Sequence, residues 1–110
     1  MIIAIDFDGT IVDHEFPKIG KLKPFAKEAI NYLYKHNHII IIWTCRYEEP
    51  YVQKMIDFLD ENEIYYHKIN ENYEKLSFQP HPKIYADVYI DDRQLGGLPD
   101  WFQILRMITK

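Results

Sequence analysis

Ile2-Ile3-Ala4-Ile5-Asp6-Phe7-Asp8-Gly9-Thr10 decides the fold: a continuous apolar run, too short for a membrane span, ending in two carboxylates one residue apart and then a turn. The pattern reads as a buried strand feeding a functional loop. Alternate residues of a strand share a face, but where the strand ends the chain is turning, so Asp6 and Asp8 can converge on one point beyond the sheet edge. Two carboxylates placed there call for a cation. By average residue usage such an Asp-x-Asp-Gly-Thr string arises by chance in a chain of this size with odds of roughly one in a thousand. That outweighs the plainer explanation, an acidic loop capping a helix.

With 110 residues, of which 47% are hydrophobic, the chain fits a single domain over 1–110. The apolar runs at 1–5 and 39–43 are far too short to cross a bilayer, and no basic region precedes a cleavage site. No membrane association and a cytoplasmic location are therefore expected. One cysteine, Cys45, excludes an internal disulfide framework. A formal net charge of -4 argues against general binding to nucleic acid or anionic lipid.

Residues 11–23 have mixed polarity and read as a turn plus a small flap. Pro24 suits a helix's first turn, and Phe25, Ala26, Ala29, Ile30, Leu33 and Tyr34 recur at helical spacing until Asn37. Residues 38–44 are a second strand, apolar on both faces, ending in Thr44-Cys45-Arg46. A second helix is predicted from near Glu49 and Pro50, burying Val52, Met55, Ile56 and Leu59 and stopping at Asn62. A short strand is predicted at 64–67, a polar loop at 70–82, a strand at 86–90 ending in Asp91-Asp92-Arg93, and a terminal helix capped by Asp100. Strands alternating with helices imply an α/β fold, a Rossmann-like parallel sheet sandwiched by helices. Asp6, Asp8, Thr44, Asp91 and Asp92 then reach the same sheet edge, where open α/β sheets bind ligands.

Unpaired, those carboxylates would repel one another in a cleft, and a divalent cation is the simplest way to keep them charged. Oxygen-only ligation suits Mg2+, whereas the five histidines form no spaced zinc motif. Thr44, with the N–H groups that follow it, and a lysine would hold a phosphate. Lys83, just before the strand that carries Asp91, is the first choice, with Lys68 and Lys75 as alternatives, although from the residues alone any one of them reads more simply as a solvated surface charge. Residues 70–72 are expected at the cleft mouth.

The run ending Asp6-Phe7-Asp8-Gly9-Thr10, the strand ending at Thr44, a lysine upstream of the last strand, and Asp91-Asp92 together resemble, in order, the four signature motifs of the haloacid dehalogenase-like hydrolase superfamily. The segments 83–93 and Thr44-Cys45-Arg46 are also similar to those of the superfamily's deoxyribonucleotidases and polynucleotide phosphatase domains. The resemblance implies that Asp6 is a nucleophile forming an aspartyl-phosphate and that Asp8 is the general acid and then the base. It further implies that Mg2+ contacts the Asp6 carboxylate, the Asp8 backbone carbonyl and the Asp91/Asp92 pair, Asp92 directly and Asp91 through water. Thr44 and Lys83 would bind the phosphoryl oxygens, and Cys45 and Arg46 would touch the substrate. The short segments after the first and second motifs leave no room for a cap domain.

The expected activity is thus Mg2+-dependent phosphomonoester hydrolysis on a small phosphorylated metabolite or nucleotide, in a capless homo-oligomer whose subunits wall the site. The alternatives are a phosphatase acting on a macromolecular end, with nucleic acid or a phosphoprotein as substrate, and an inactive phosphate-binding domain.

Overall fold

The computed structural model describes residues 1–73 and 83–110. In chain order the elements are β1 (Ile2–Ile5), α1 (Ala26–Lys35), β2 (Ile39–Ile42), α2 (Tyr51–Glu61), β3 (Lys68–Ile69), β4 (Val88–Ile90) and α3 (Trp101–Thr109). The four strands form one all-parallel sheet in the order β3-β2-β1-β4, flanked by the helices. The α/β fold expected from the sequence is the one observed.

β1 and β2 are the central strands because they are apolar on both faces. Ile3 pairs with Ile40 and Ile5 with Ile42, and all four are fully buried. Ala4 and Ile41, pointing the other way, are buried too. Each buried isoleucine contributes roughly 1.5–3 kcal/mol relative to an exposed one. The same core takes in Ala29, Ile30 and Leu33 of α1, Met55 and Leu59 of α2, and Trp101 and Ile104 of α3. α1 stops where Asn37 adopts a φ of 69°, and α2 where Glu63 follows Asn62 with a φ of 55°. α3 starts on Asp100, whose side chain accepts a hydrogen bond from the Gln103 N–H at 2.9 Å.

One element is displaced from its predicted place. The strand read at 64–67 lies at Lys68–Ile69, because the backbone of Tyr65 donates to the side chain of Asn31 on α1 rather than to a strand. Ile64 is buried while the chain is still leaving α2. Of the polar loop read at 70–82, residues 74–82 lie outside the described residues, and Lys75 with them.

Residues 11–23 do form a flap. Val12 bridges to Leu22, and Asp13 N–H donates to the Lys21 carbonyl at 2.8 Å. Its place matters because the strand order reverses at β1: β2 and β3 lie to one side and β4 to the other. The crevice beyond the carboxyl ends of β1 and β4 is the topological switch point, where such sheets bind ligands. Among the described residues, no helix is long and apolar enough to cross a membrane.

Candidate active site

β1 and β4 end side by side, and the Asp6 N–H donates to the Ile90 carbonyl at 2.9 Å, locking the two strand ends in register. The chain then turns tightly, with the N–H groups of Thr10 and Ile11 both donating to the Phe7 carbonyl. Gly9 makes the turn at a φ of 89°, and a β-carbon there would stand 2.3 Å from Asp92 Oδ2. Glycine is therefore required twice over, for its backbone conformation and for the approach of Asp92.

Thr10 is fully buried and connects both strand ends. Its hydroxyl donates toward Asp6 Oδ2 at 3.1 Å and accepts from the Asp92 N–H at 2.9 Å. The Trp101 indole N–H fixes the Thr10 carbonyl at 2.8 Å, so α3 braces the turn from behind. The result is a cluster of Asp6, Asp91 and Asp92, each offering an oxygen within 4.8 Å of the others. Burial, then the Asp91 charge and a hydrogen bond to Asp92, push the Asp6 carboxyl up to about 7, against the opposing hydrogen bond from Thr10. Three hard oxygen donors crowded in this way suit a divalent cation.

Asp8 is treated differently. Its carboxylate faces away from the cluster and receives a two-pronged contact from Arg46, Nε to Oδ2 at 2.7 Å and Nη2 to Oδ1 at 2.8 Å. The Asp8 carboxylate, expected among the metal ligands, is therefore not one of the oxygens gathered at the cluster. Arg46, expected at the substrate, is only 2% exposed. Its N–H groups go to Asp8 and to the carbonyls of Pro17, Lys18 and Tyr51, which leaves none of the five for a substrate.

A cleft of about 340 Å³ opens over these groups, lined by Asp6, Asp8, Thr44, Cys45, Asp91 and Asp92 together with His14, Phe16, Arg46 and Arg93. Thr44 stands at its predicted place, and its hydroxyl accepts from the Arg46 N–H at 3.1 Å. Cys45 is an exposed free thiol on the same wall. Lys83 is not brought to the cleft. It approaches β4 from the amino end, and its ammonium lies 5.1 Å from the centre of the Tyr89 ring. Lys68, on β3, does not line the cleft either.

Two residues have contacts that the sequence reading did not give them. Asn70 clamps Thr44, accepting from its N–H and donating to its carbonyl, both at 2.8 Å. The available signal was its position, directly after β3 and level with the end of β2. Arg93 supplies a cation at the cleft wall, and its adjacency to Asp91-Asp92 was visible in the sequence.

Residues 3–72 match the family described as haloacid dehalogenase-like hydrolase, a stretch that includes Asp6, Asp8 and Thr44. No curated protein sequence matches significantly. The chain is also similar to a solved structure of a conserved protein from Bacteroides thetaiotaomicron, at 39% identity and a TM-score of 0.90, over 99% of this chain and 89% of that one. The matched stretch covers more than half of the sequence and carries both carboxylates of the first turn, so the chain belongs to the haloacid dehalogenase-like hydrolase family.

Proposed function

We propose that the protein is a Mg2+-dependent phosphomonoester hydrolase working through an aspartyl-phosphate on Asp6. The observation that carries this reading is the convergence of Asp6, Asp91 and Asp92 at the switch point, with Asp8 beside them but outside the cluster. Asp6, Asp92 and, directly or through water, Asp91 would hold the ion, with the Asp8 backbone carbonyl. Bound there, Mg2+ supplies charge neutralisation of the phosphoryl oxygens, so that a carboxylate can approach phosphorus.

In the first displacement an Asp6 oxygen attacks phosphorus while the bond to the leaving oxygen breaks and Asp8 gives that oxygen its proton. In the second, water attacks the same phosphorus, its proton passes to the Asp8 carboxylate, and inorganic phosphate leaves with Asp6 restored. Each Asp8 oxygen uses one lone pair on Arg46 and keeps another, which leaves room for that proton. Thr44, positioned by Asn70, presents its hydroxyl to the phosphoryl group, and Arg93 adds positive charge at the wall. A cleft of about 340 Å³ favours a small phosphorylated metabolite or nucleotide over a macromolecular end.

The test is hydrolysis of para-nitrophenyl phosphate by the purified protein. Turnover is expected with Mg2+ and not in excess chelator, and Asp6→Asn should lower kcat by on the order of a thousandfold or more with the fold intact. Full activity in chelator, or a near-normal rate for Asp6→Asn, would sink the mechanism.

A further inference from the structure

Arg46 combines features that do not belong to a surface or substrate-binding arginine. Its side chain is buried, a costly place for a guanidinium unless every N–H is satisfied, and here each one is. Two of its N–H groups hold both oxygens of Asp8. Others reach the carbonyls of Pro17 and Lys18 in the flap at 3.4 and 3.1 Å, and that of Tyr51 at the start of α2 at 3.4 Å. The guanidinium carbon lies 4.8 Å from the centre of the Phe16 ring and 5.5 Å from that of Phe7. Phe16 in turn packs on Tyr51 at 5.3 Å, is 47% exposed and lines the cleft.

From this geometry, and resting on the hydrolase reading above, we propose that Arg46 is the positioning residue for Asp8: it aims the Asp8 carboxyl at the leaving oxygen and ties that aim to the seating of the flap. Arg46 touches no substrate. It acts because a planar fork fixes both oxygens of a carboxyl at once, which a single ammonium cannot do. A flap that lifts away withdraws the Pro17 and Lys18 carbonyls and the Phe16 ring, and with them the support that holds the fork.

The experiment compares wild type, Arg46→Lys, Asp8→Asn and the double variant on para-nitrophenyl, phenyl and alkyl phosphates with saturating Mg2+. Arg46→Lys should lower kcat by about a hundredfold for the alkyl ester and only a few-fold for the nitrophenyl ester, with little change in KM. In the Asp8→Asn background the same substitution should add almost nothing. A rise in KM at constant kcat, equal losses across leaving groups, or losses that multiply in the double variant would each overturn the proposal.

A second measurement does not depend on turnover or on the stability of Arg46→Lys. Tryptic cleavage after Lys18, whose carbonyl Arg46 holds, should accelerate several-fold in Asp8→Asn, and unchanged cleavage would refute the link between Asp8 and the flap. A wild-type protein with no phosphomonoesterase activity would refute the hydrolase reading and the catalytic half of this proposal together, while the cleavage result still decides the linkage.

Discussion

Asp6 and Asp8 leave the same strand one residue apart and enter opposite electrostatic surroundings. Asp6 turns toward β4 and meets Asp91 and Asp92, and burial first, then the Asp91 charge and the hydrogen bond to Asp92, push its carboxyl up to about 7. Asp8 turns toward the flap and meets a buried guanidinium that engages both of its oxygens. Among the described residues no lysine or arginine is ion-paired with the Asp6 cluster, whereas Asp8 is neutralised by Arg46. That difference separates the roles. Under the proposed mechanism, the group that binds the cation and attacks phosphorus is the one left open to the cleft, and the group that passes a proton is the one held by a partner in a fixed orientation.

The strongest way to break this comparison is Asp8→Asn. An amide keeps the size but offers Arg46 one accepting oxygen in place of two, and it cannot protonate a leaving group or take a proton from water. A loss of kcat of about 10²–10⁴-fold is expected for an alkyl phosphate, and a smaller one for a nitrophenyl ester that needs little acid assistance. Measured with Mg2+ saturating, equal losses on both esters would remove Asp8 from the proton-transfer role. The cluster itself should be barely affected, so Mg2+ affinity should stay close to wild type.

Gly9→Ala probes the other region. The new methyl would meet Asp92 Oδ2 at 2.3 Å and force a φ of 89° on an L-residue, so Asp92 must swing away. Backbone strain of about 1–3 kcal/mol should lower the melting temperature, and Mg2+ affinity should fall by on the order of tenfold or more. Calorimetric Mg2+ titration and a thermal melt read the two effects separately. A variant that melts lower but binds Mg2+ normally would show that Asp92 is not held against Gly9 as described.

Proton competition at Asp6 gives a gentler test. Its ordinary value is 3.8 and its folded value about 7, so between these the native state keeps a proton that the unfolded chain releases. Metal-free stability should therefore fall as pH rises through that window and level off above it. Mg2+ must displace the same proton, so its apparent affinity should weaken by about tenfold for each pH unit below 7 and be flat above. An affinity independent of pH from 5.5 to 8.5 would mean that Asp6 is already ionised in the metal-free protein.

How much of this was legible in the sequence follows from how local each feature is. The apolar strands, Asp6 and the Asp91-Asp92 pair at their ends and the Asp100 cap are encoded within a few residues, and the structure shows each where the pattern put it, whereas Asp8, read as converging with Asp6, turns to Arg46 instead. Arg46 could not be read in this way. An arginine two residues past a strand looks like a solvated loop charge, and it is buried here only because two distant segments, the first turn and the flap, bring it a carboxylate and carbonyls. The displaced β3 has a similar cause: the side chain of Asn31, on another element, satisfies the backbone of Tyr65 and delays pairing with β2. For Lys83 the rule was available but unused, since a residue preceding a parallel strand enters at its amino end, opposite to the edge where the carboxylates gather.

Lys83 therefore supplies the smallest expected effect and a sharper view of where the cleft obtains its positive charge. Its ammonium rests over Tyr89, an exposed cation–ring contact of about 0.5–1 kcal/mol at most. Lys83→Ala should change kcat/KM by no more than about twofold, which is about what a lost surface contact distant from the chemistry produces. Arg93→Ala is the matched comparison, because Arg93 lines the cleft beside the carboxylates while Lys83 does not. Its removal should raise KM for a phosphomonoester by about tenfold, as expected for loss of one charge-assisted contact at a partly open site. The two variants measured side by side with Mg2+ saturating decide the matter. If Lys83→Ala proves the more damaging, the cleft is completed from the amino end of β4 after all, and the flap side and the cluster side no longer divide the site between them.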